Sequence, residues 1–193
     1  MARLREFDED DVLERAMQVF WRRGYQATSL ADLLGAMGLS KSSFYETFGT
    51  KRDLLLTALR RYAGSGMSGL LAPLLRKDAS RPEIEQTFAR MIRHARSAEG
   101  RRGCLVNNTL GEVASHDEVV FAATREVLAG LESILAAAVT RGQQKGEITK
   151  EEDASAIARF LANAIGGLNL AAKARPDRAT LDDVVRVTLR ALD

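Results

Sequence analysis

The chain has 193 residues, 46% of them hydrophobic, and a formal net charge of +2, enough for one large or two small domains with a sizeable core. A single Cys excludes an intrachain disulfide framework, the N-terminus lacks the apolar run of a signal peptide, and no stretch reaches the roughly 18 apolar residues of a membrane span. A soluble cytoplasmic protein is expected, and 28 Lys+Arg against 26 Asp+Glu do not by themselves announce nucleic-acid binding.

The predicted elements are all helical. A first helix runs from about Asp8 to Arg23, with Leu13, Ala16, Met17 and Phe20 at helical spacing, acids at Asp8 to Asp11 that suit its positive end, and Gly24 as its stop. Thr28 or Ser29 caps a short second helix with Leu30, Leu33 and Leu34. After a turn over Gly35 to Gly38, Ser40 caps a third helix, Lys41 to Phe48. Thr50, with Asp53 three residues on, caps a fourth helix that should bend at Gly64-Ser65-Gly66. Ser80-Arg81-Pro82-Glu83 combines a capping box with an early proline and opens a fifth helix with Ile84, Phe88, Met91, Ile92 and Ala95 on one face. Gly100 and Gly103 bracket a break, CLVNNTLGEVA forms a sixth helix, and a seventh spans about Asp117 to Gly142. Thr149-Lys150-Glu151-Glu152 reads as a capping box opening the eighth helix, whose stripe is Ala154, Ile157, Ala158, Leu161, Ala164, Ile165 and Leu168, and Thr180 starts a ninth with Leu181, Val184, Val185, Leu189 and Leu192. No strand pattern and no repeat appears. The fold class is all-α, about nine helices, with a small N-terminal unit and a larger C-terminal helical one.

The third helix is too polar for a packing element. Residues 38–55, GLSKSSFYETFGTKRDLL, spend most positions on hydroxyls and charge, and between Arg22 and Arg61 seven basic residues face three acidic ones, Asp32, Glu46 and Asp53. Two short helices joined by a Gly-containing turn and backed by a third outline a helix-turn-helix, in which the N-terminal residues of the second helix meet base edges in the major groove. A solvated polar face on an ordinary short helix is the competing reading, and pattern alone weighs the two about equally.

The segment FDEDDVLERAMQVFWRRGYQATSLADLLGAMGLSKSSFYETFGTKRDLL strongly resembles the N-terminal domain of tetracycline-repressor-type (TetR-family) regulators. A-x-x-x-F-W-x-x-G-Y at 16–25, A-T-S-L-x-D-L at 27–33 and A-M-G-L-x-K-x-S-F-Y-x-x-F-G-x-K at 36–51 carry the resemblance. It implies a helix-turn-helix DNA-binding domain at 1–52 and a helical ligand-binding and dimerisation domain at 53–193. The implied function is a ligand-responsive regulator, a repressor by expectation, that binds a palindromic double-stranded DNA operator as a homodimer and leaves it when a small-molecule effector binds. Carried over residue by residue, Lys41, Ser42, Ser43 and Thr47 take base-reading places, and Thr28, Ser29, Tyr45, Lys51 and Thr50 take phosphate-contact places. Glu46 either reads a cytosine amino group or faces solvent, and Arg3 and Arg5 either form a basic arm or are merely solvated.

The eighth and ninth helices, rich in Ala and Gly, suit a four-helix interface between two subunits, though a helix face alone does not name its partner; the resemblance favours the dimer. RRGCLVNNTLGEVA, with its G-C-L and a Glu, is similar to a subgroup of the family in which some members sense electrophiles or oxidants through the equivalent Cys. Arg101, Arg102 and a helix N-terminus beside Cys104 should lower its pKa, while a small buried hydrophobe is the weightier reading of a free Cys. Asn107 and Asn108 are candidate polar contacts in the pocket or ties between helices. Met67, Phe88, Met91 and Phe160 are candidates for its apolar wall, each also explicable as core. His94 and His116 are too isolated for a metal site, and no metal or cofactor is called for. Two other functions stay open: a helical interaction module of this fold without operator binding, and a Cys-dependent enzyme, for which no nucleophile elbow, phosphate loop or zinc helix is present.

Overall fold

The computed structural model describes residues 7–66 and 68–193, with the side chains of 65–68 outside the description; Met67, Arg3 and Arg5 therefore lie outside the described residues. Nine helices of eight or more residues are present among the described residues, and no strand. α1 (Glu9–Arg23) starts at Asp8, whose carboxylate accepts from the Asp10 amide at 2.9 Å. α2 (Leu30–Met37) and α4 (Lys51–Arg61) open on reciprocal capping boxes, Ser29 with Asp32 and Thr50 with Asp53. α3 (Lys41–Phe48) opens on Ser40. These starts follow from cap chemistry that is local in sequence. The bend expected after α4 is a π-turn at Tyr62–Gly66, followed by a single helical turn at Ser68–Leu71; loosened helix geometry falls where glycine weakens propensity.

The remaining helices are α5 (Arg81–Ala95), α6 (Leu105–Glu112), α7 (Glu118–Lys145), α8 (Ala154–Lys173) and α9 (Arg178–Leu189). Three ends differ from the sequence expectation. α7 runs past Gly142 to Lys145, because Gly142 is not a stop but a gap: a Cβ there would lie 2.5 Å from Ile148 Cδ1, and Ile148 is buried against it. α8 begins at Ala154, not at Lys150. The Thr149 amide donates to the Leu192 carbonyl at 3.0 Å, and Gln143 Nε2 bonds the carbonyls of Thr149 (2.8 Å) and Glu152 (2.9 Å), which hold 149–152 as a loop. Asp153 then caps α8, accepting from the Ser155 and Ala156 amides. Thr180 likewise sits inside α9, donating its amide to the true cap, Asp177, at 2.7 Å.

Two apolar cores result. One joins α5, α7, α8 and α9 around Phe88, Leu135, Leu161 and Ile165. The other holds Phe20, Leu33, Phe44 and Leu54 from α1–α4 together with Cys104, Leu105, Val106, Val113 and Val120. α6 and the start of α7 are thus packed into the same core as the helix-turn-helix. Each buried Phe or Leu side chain contributes roughly 1.5–3 kcal/mol by removal from water.

Candidate nucleic-acid interface

Three helix starts, those of α2, α3 and α4, carry hydroxyl caps within one short segment, and backbone N–H groups at such ends attract phosphate. Phe44 anchors α3 with no exposed surface, and Phe48 and the edge of Tyr45 pack on it at 6.2 and 5.4 Å between ring centres. That leaves Lys41, Ser42, Tyr45 and Glu46 exposed, with Ser43 and Thr47 half-buried. Ser40 Oγ lies 3.0 Å from Ser42 Oγ and 2.9 Å from Ser43 Oγ, a hydroxyl cluster whose rotors can turn to a base acceptor or donor.

Ser29 and Thr50 are exposed but already committed: Ser29 Oγ donates to Asp32 at 2.7 Å and Thr50 Oγ1 to Asp53 at 2.6 Å. Those bonds, with Arg23 beside Asp32, pull the Asp32 carboxyl down to about 2 and hold Asp53 below its ordinary value. Thr28, expected at a phosphate, is buried at 1% exposure and donates to the Gly24 carbonyl at 2.6 Å; its hydroxyl ties the loop internally, so this expectation is corrected on geometry. Lys51 Nζ sits 4.3 Å above the Tyr25 ring. Burial lowers its pKa, opposed by Glu112 and Asp32. Arg52 pairs with Asp117 at 3.5 Å, and Arg61 with Asp10 and Glu14.

Sequence reasoning missed the residues that join this face to the rest of the molecule. The Glu112 carboxylate, at the end of α6, accepts the backbone N–H groups of Tyr25 (2.9 Å) and Gln26 (2.8 Å) in the α1–α2 loop. Gly24, at φ +83°, makes room for it: a Cβ there would stand 2.7 Å from Glu112 Oε2. The Trp21 indole N–H donates to the Gly103 carbonyl at 3.0 Å, Arg102 stacks over the Trp21 ring at 4.7 Å and reaches Gln18 Oε1 at 2.5 Å, and Tyr62 meets Trp21 edge-on at 5.1 Å. The glycine in G-Y at 24–25, which demands an unusual turn, and the Glu of RRGCLVNNTLGEVA were the available signals.

On the other side of α6, Cys104 and Asn107 line a narrow cleft with Val127, Leu131, Ile165 and Asn169. A wider one, about 340 Å³, lies between α4 and α7 along Leu59, Ala63, Leu71 and Ile134 and shares Val127 and Leu131. Asn108 is turned away, donating to the Arg102 carbonyl at 2.9 Å and accepting from Lys173 at 3.0 Å. Phe88 and Met91 are packed in the C-terminal core, and Phe160 is half exposed; none of the three lines these clefts. Cys104 corrects the expectation of a lowered pKa. Burial pushes its thiol up, opposed by the amides of Asn107 and Val106 and by Tyr62, while Arg101 is exposed and Arg102 is engaged with Trp21. Among the described residues no cluster of His, Cys, Asp and Glu could hold a metal ion, and no helix is long and apolar enough to cross a membrane.

Two families match: "Bacterial regulatory proteins, tetR family" over residues 12–58 and "Tetracyclin repressor-like, C-terminal domain" over 81–188. The chain is 34% identical over 194 aligned positions to the uncharacterized HTH-type transcriptional regulator YezE of Bacillus subtilis, covering 100% of both. It is 29% identical to the HTH-type transcriptional repressor ComR of Escherichia coli, covering 95% of this chain and 88% of that one. Among solved structures it is similar to a cysteine variant of the TetR-family transcriptional regulator CifR complexed with 26-bp double-strand operator DNA, at TM-score 0.87 and 32% identity, covering 99% of this chain and 100% of that one.

Proposed function

The chain belongs to the TetR family of bacterial transcriptional regulators, and on that premise we propose that it is a ligand-responsive repressor that binds a palindromic operator as a homodimer. The observation that carries the reading is the face of α3. Its anchor Phe44 is fully buried while Lys41, Ser42 and Tyr45 stand exposed beside the capped starts of α2 and α4. Lys41, Ser42, Ser43 and Thr47 read bases; Tyr45, Lys51 and the amide ends at Ser29 and Thr50 hold phosphates. Operator reading belongs to residues 1–52 and sensing to 53–193. α8 and α9 pair with a second copy, an arrangement supported by the exposed Phe160, Leu170 and Val187 on those helices. A twofold pair spaces two α3 helices about one DNA turn apart. No catalytic step is assigned, and the protein acts in the cytoplasm, where its DNA is.

The effector enters the clefts beside α6, and the finer assignment is to the subgroup marked by G-C-L, with Cys104 at the sensing end. Burial of the thiol favours reversible occupancy of the cleft by a small molecule. The second reading, thiol modification, is favoured by the Tyr62 hydroxyl and two backbone amides around Cys104, a cradle that would hold a thiolate once reagent reached it. Either event shifts the dimer toward a state with misspaced recognition helices, and only by as much as the event prefers that state.

A gel-shift titration on DNA flanking the protein's own gene tests this. The wild type should bind, with release by a mild thiol oxidant or by a small organic molecule; Cys104→Ser should abolish only the oxidant response. Absence of salt-sensitive binding to any duplex would overturn the operator reading in favour of an interaction module. In the same assay Tyr45→Phe and Lys51→Ala should weaken all sequences comparably, each by about 1 kcal/mol, whereas Lys41→Ala should also change sequence preference by about 1–3 kcal/mol at one base pair. Equal loss on every sequence for all three would remove the base-reading role of Lys41.

A further inference from the structure

On the C-terminal unit, the end of α5, the 3₁₀ turn Gly100–Arg102 and the α8–α9 connection enclose a cleft of about 540 Å³. Arg93, Arg96, Arg101, Arg175 and Arg178 line it, with Ser97 among them. Asp177 is the one acidic residue of that lining, and its carboxylate is taken up in capping α9 through the Thr180 amide at 2.7 Å. Arg178 pairs with Asp182 at 3.1 Å. Among the described residues the guanidinium groups of Arg93, Arg96, Arg101 and Arg175 have no hydrogen-bond or ion-pair partner, although the chain as a whole is nearly neutral.

The backbone adds a second observation. Arg175 is the one non-glycine residue among the described residues with a positive φ, 53°, a conformation that costs roughly 1–2 kcal/mol for an L-residue. The proline that follows further disfavours a helical conformation at this position. That strained turn is what places Arg175 on the cleft rather than at a continued end of α8. Like charges gathered around one concavity raise its positive potential. Guanidinium stays charged at any physiological pH, and its planar fork matches phosphate oxygens two at a time.

We propose that this cleft binds a small polyanion, a phosphorylated metabolite carrying at least two phosphate groups, at a site separate from both the α3 face and the clefts beside Cys104. The volume falls in the range of small-molecule sites, roughly 300–1,000 Å³, and four unpaired guanidinium groups can serve two phosphates in forked pairs. The concave wall fits a compact ligand better than the convex backbone of a duplex. Arg101 also lines an adjoining cleft with Arg22, Arg23, Arg102 and Glu112, so an occupant sits next to the junction that holds the α1–α2 loop.

The test is calorimetric titration of the full chain with inorganic pyrophosphate, inorganic phosphate and sulfate at constant ionic strength, on wild type and on Arg93→Gln/Arg96→Gln, with operator titrations of both across a salt series. Saturable pyrophosphate binding, stronger than that of phosphate or sulfate and weakened about tenfold or more in the double variant, is expected, with operator affinity and its salt slope unchanged. A thermal melt equal to wild type shows that the exposed substitutions leave the fold intact. No saturable heat at millimolar pyrophosphate overturns the proposal, as does sulfate binding equally well, which marks indiscriminate charge screening. A double variant whose operator salt slope falls by about 0.9 per lost contact also overturns it and assigns these arginines to duplex phosphates.

Discussion

Replacing Glu112 by alanine should weaken operator binding by about 2 kcal/mol, roughly thirtyfold, without touching any group proposed to contact DNA. The Glu112 carboxylate accepts two backbone N–H groups, of Tyr25 and Gln26, and charge-assisted bonds of this kind are worth about 1.5–3 kcal/mol each, less where water reaches them. Without them the α1–α2 loop is tied to the end of α6 by the longer bond from the Gln26 side chain to the Glu112 carbonyl, 3.3 Å. Tyr25, the platform beneath Lys51, is then free to move, and the starts of α2 and α4 are no longer held in one arrangement. Glu112→Gln, which keeps the shape and one acceptor oxygen, should fall between wild type and alanine. A second readout separates coupling from affinity: the alanine variant should respond less to whatever effector releases the wild type. Equal affinity and equal response in the two proteins would remove Glu112 from the link.

Phe44→Ala should cost about 3–5 kcal/mol of folding stability, a large share of the roughly 5–15 kcal/mol of a typical domain. Phe44 has no exposed surface and carries both Tyr45 and Phe48 on its ring. Its loss leaves a cavity under α3 and frees the polar face from its support. Chemical denaturation with urea should show the drop in midpoint, and operator binding should be lost at growth temperature even where the C-terminal helices remain folded. Phe44→Leu, which refills most of the volume, should cost about 1–2 kcal/mol. An alanine variant as stable as wild type would mean that α3 is not anchored through this ring.

Local chemistry explains why so much of the fold was readable. Ser29, Ser40 and Thr50 cap their helices through partners three residues away, and the period of Leu131, Leu135 and Ala138 needs no knowledge of what covers it. The misplaced start of α8 failed for the opposite reason, whereas that of α9 missed a cap that is equally local, Asp177. Thr149-x-x-Glu152 is as good a local cap as Ser29-x-x-Asp32, and the ties from Thr149 to Leu192, 43 positions along the chain, and from the Gln143 side chain to the carbonyls of Thr149 and Glu152 decide against it. Cys104 shows the same limit. Two arginines adjoin it in sequence, but one points at Trp21 and the other at solvent, so burial rather than charge sets its thiol. Glu112 stood out in the sequence as the Glu of RRGCLVNNTLGEVA, but its role was not legible, because its partners lie 86 and 87 positions away. At the α3 face the residue types were legible, while the internal commitment of Thr28 was not, since a buried hydroxyl and an exposed one look alike on paper.

The core shared by α1–α4, α6 and the first turns of α7 bears on how such regulators can be recombined. A chimera cut after residue 52 would graft a reading head onto a foreign neck, leaving Phe20 and Trp21 facing side chains that did not evolve with them. The transplantable piece is discontinuous: residues 7–62 together with 103–128 hold this apolar cluster with the side chains packed on it and keep the Glu112 clasp. Swaps that carry both stretches retain the seam intact, and specificity can then be exchanged at Lys41 to Thr47 without rebuilding the joint beneath it.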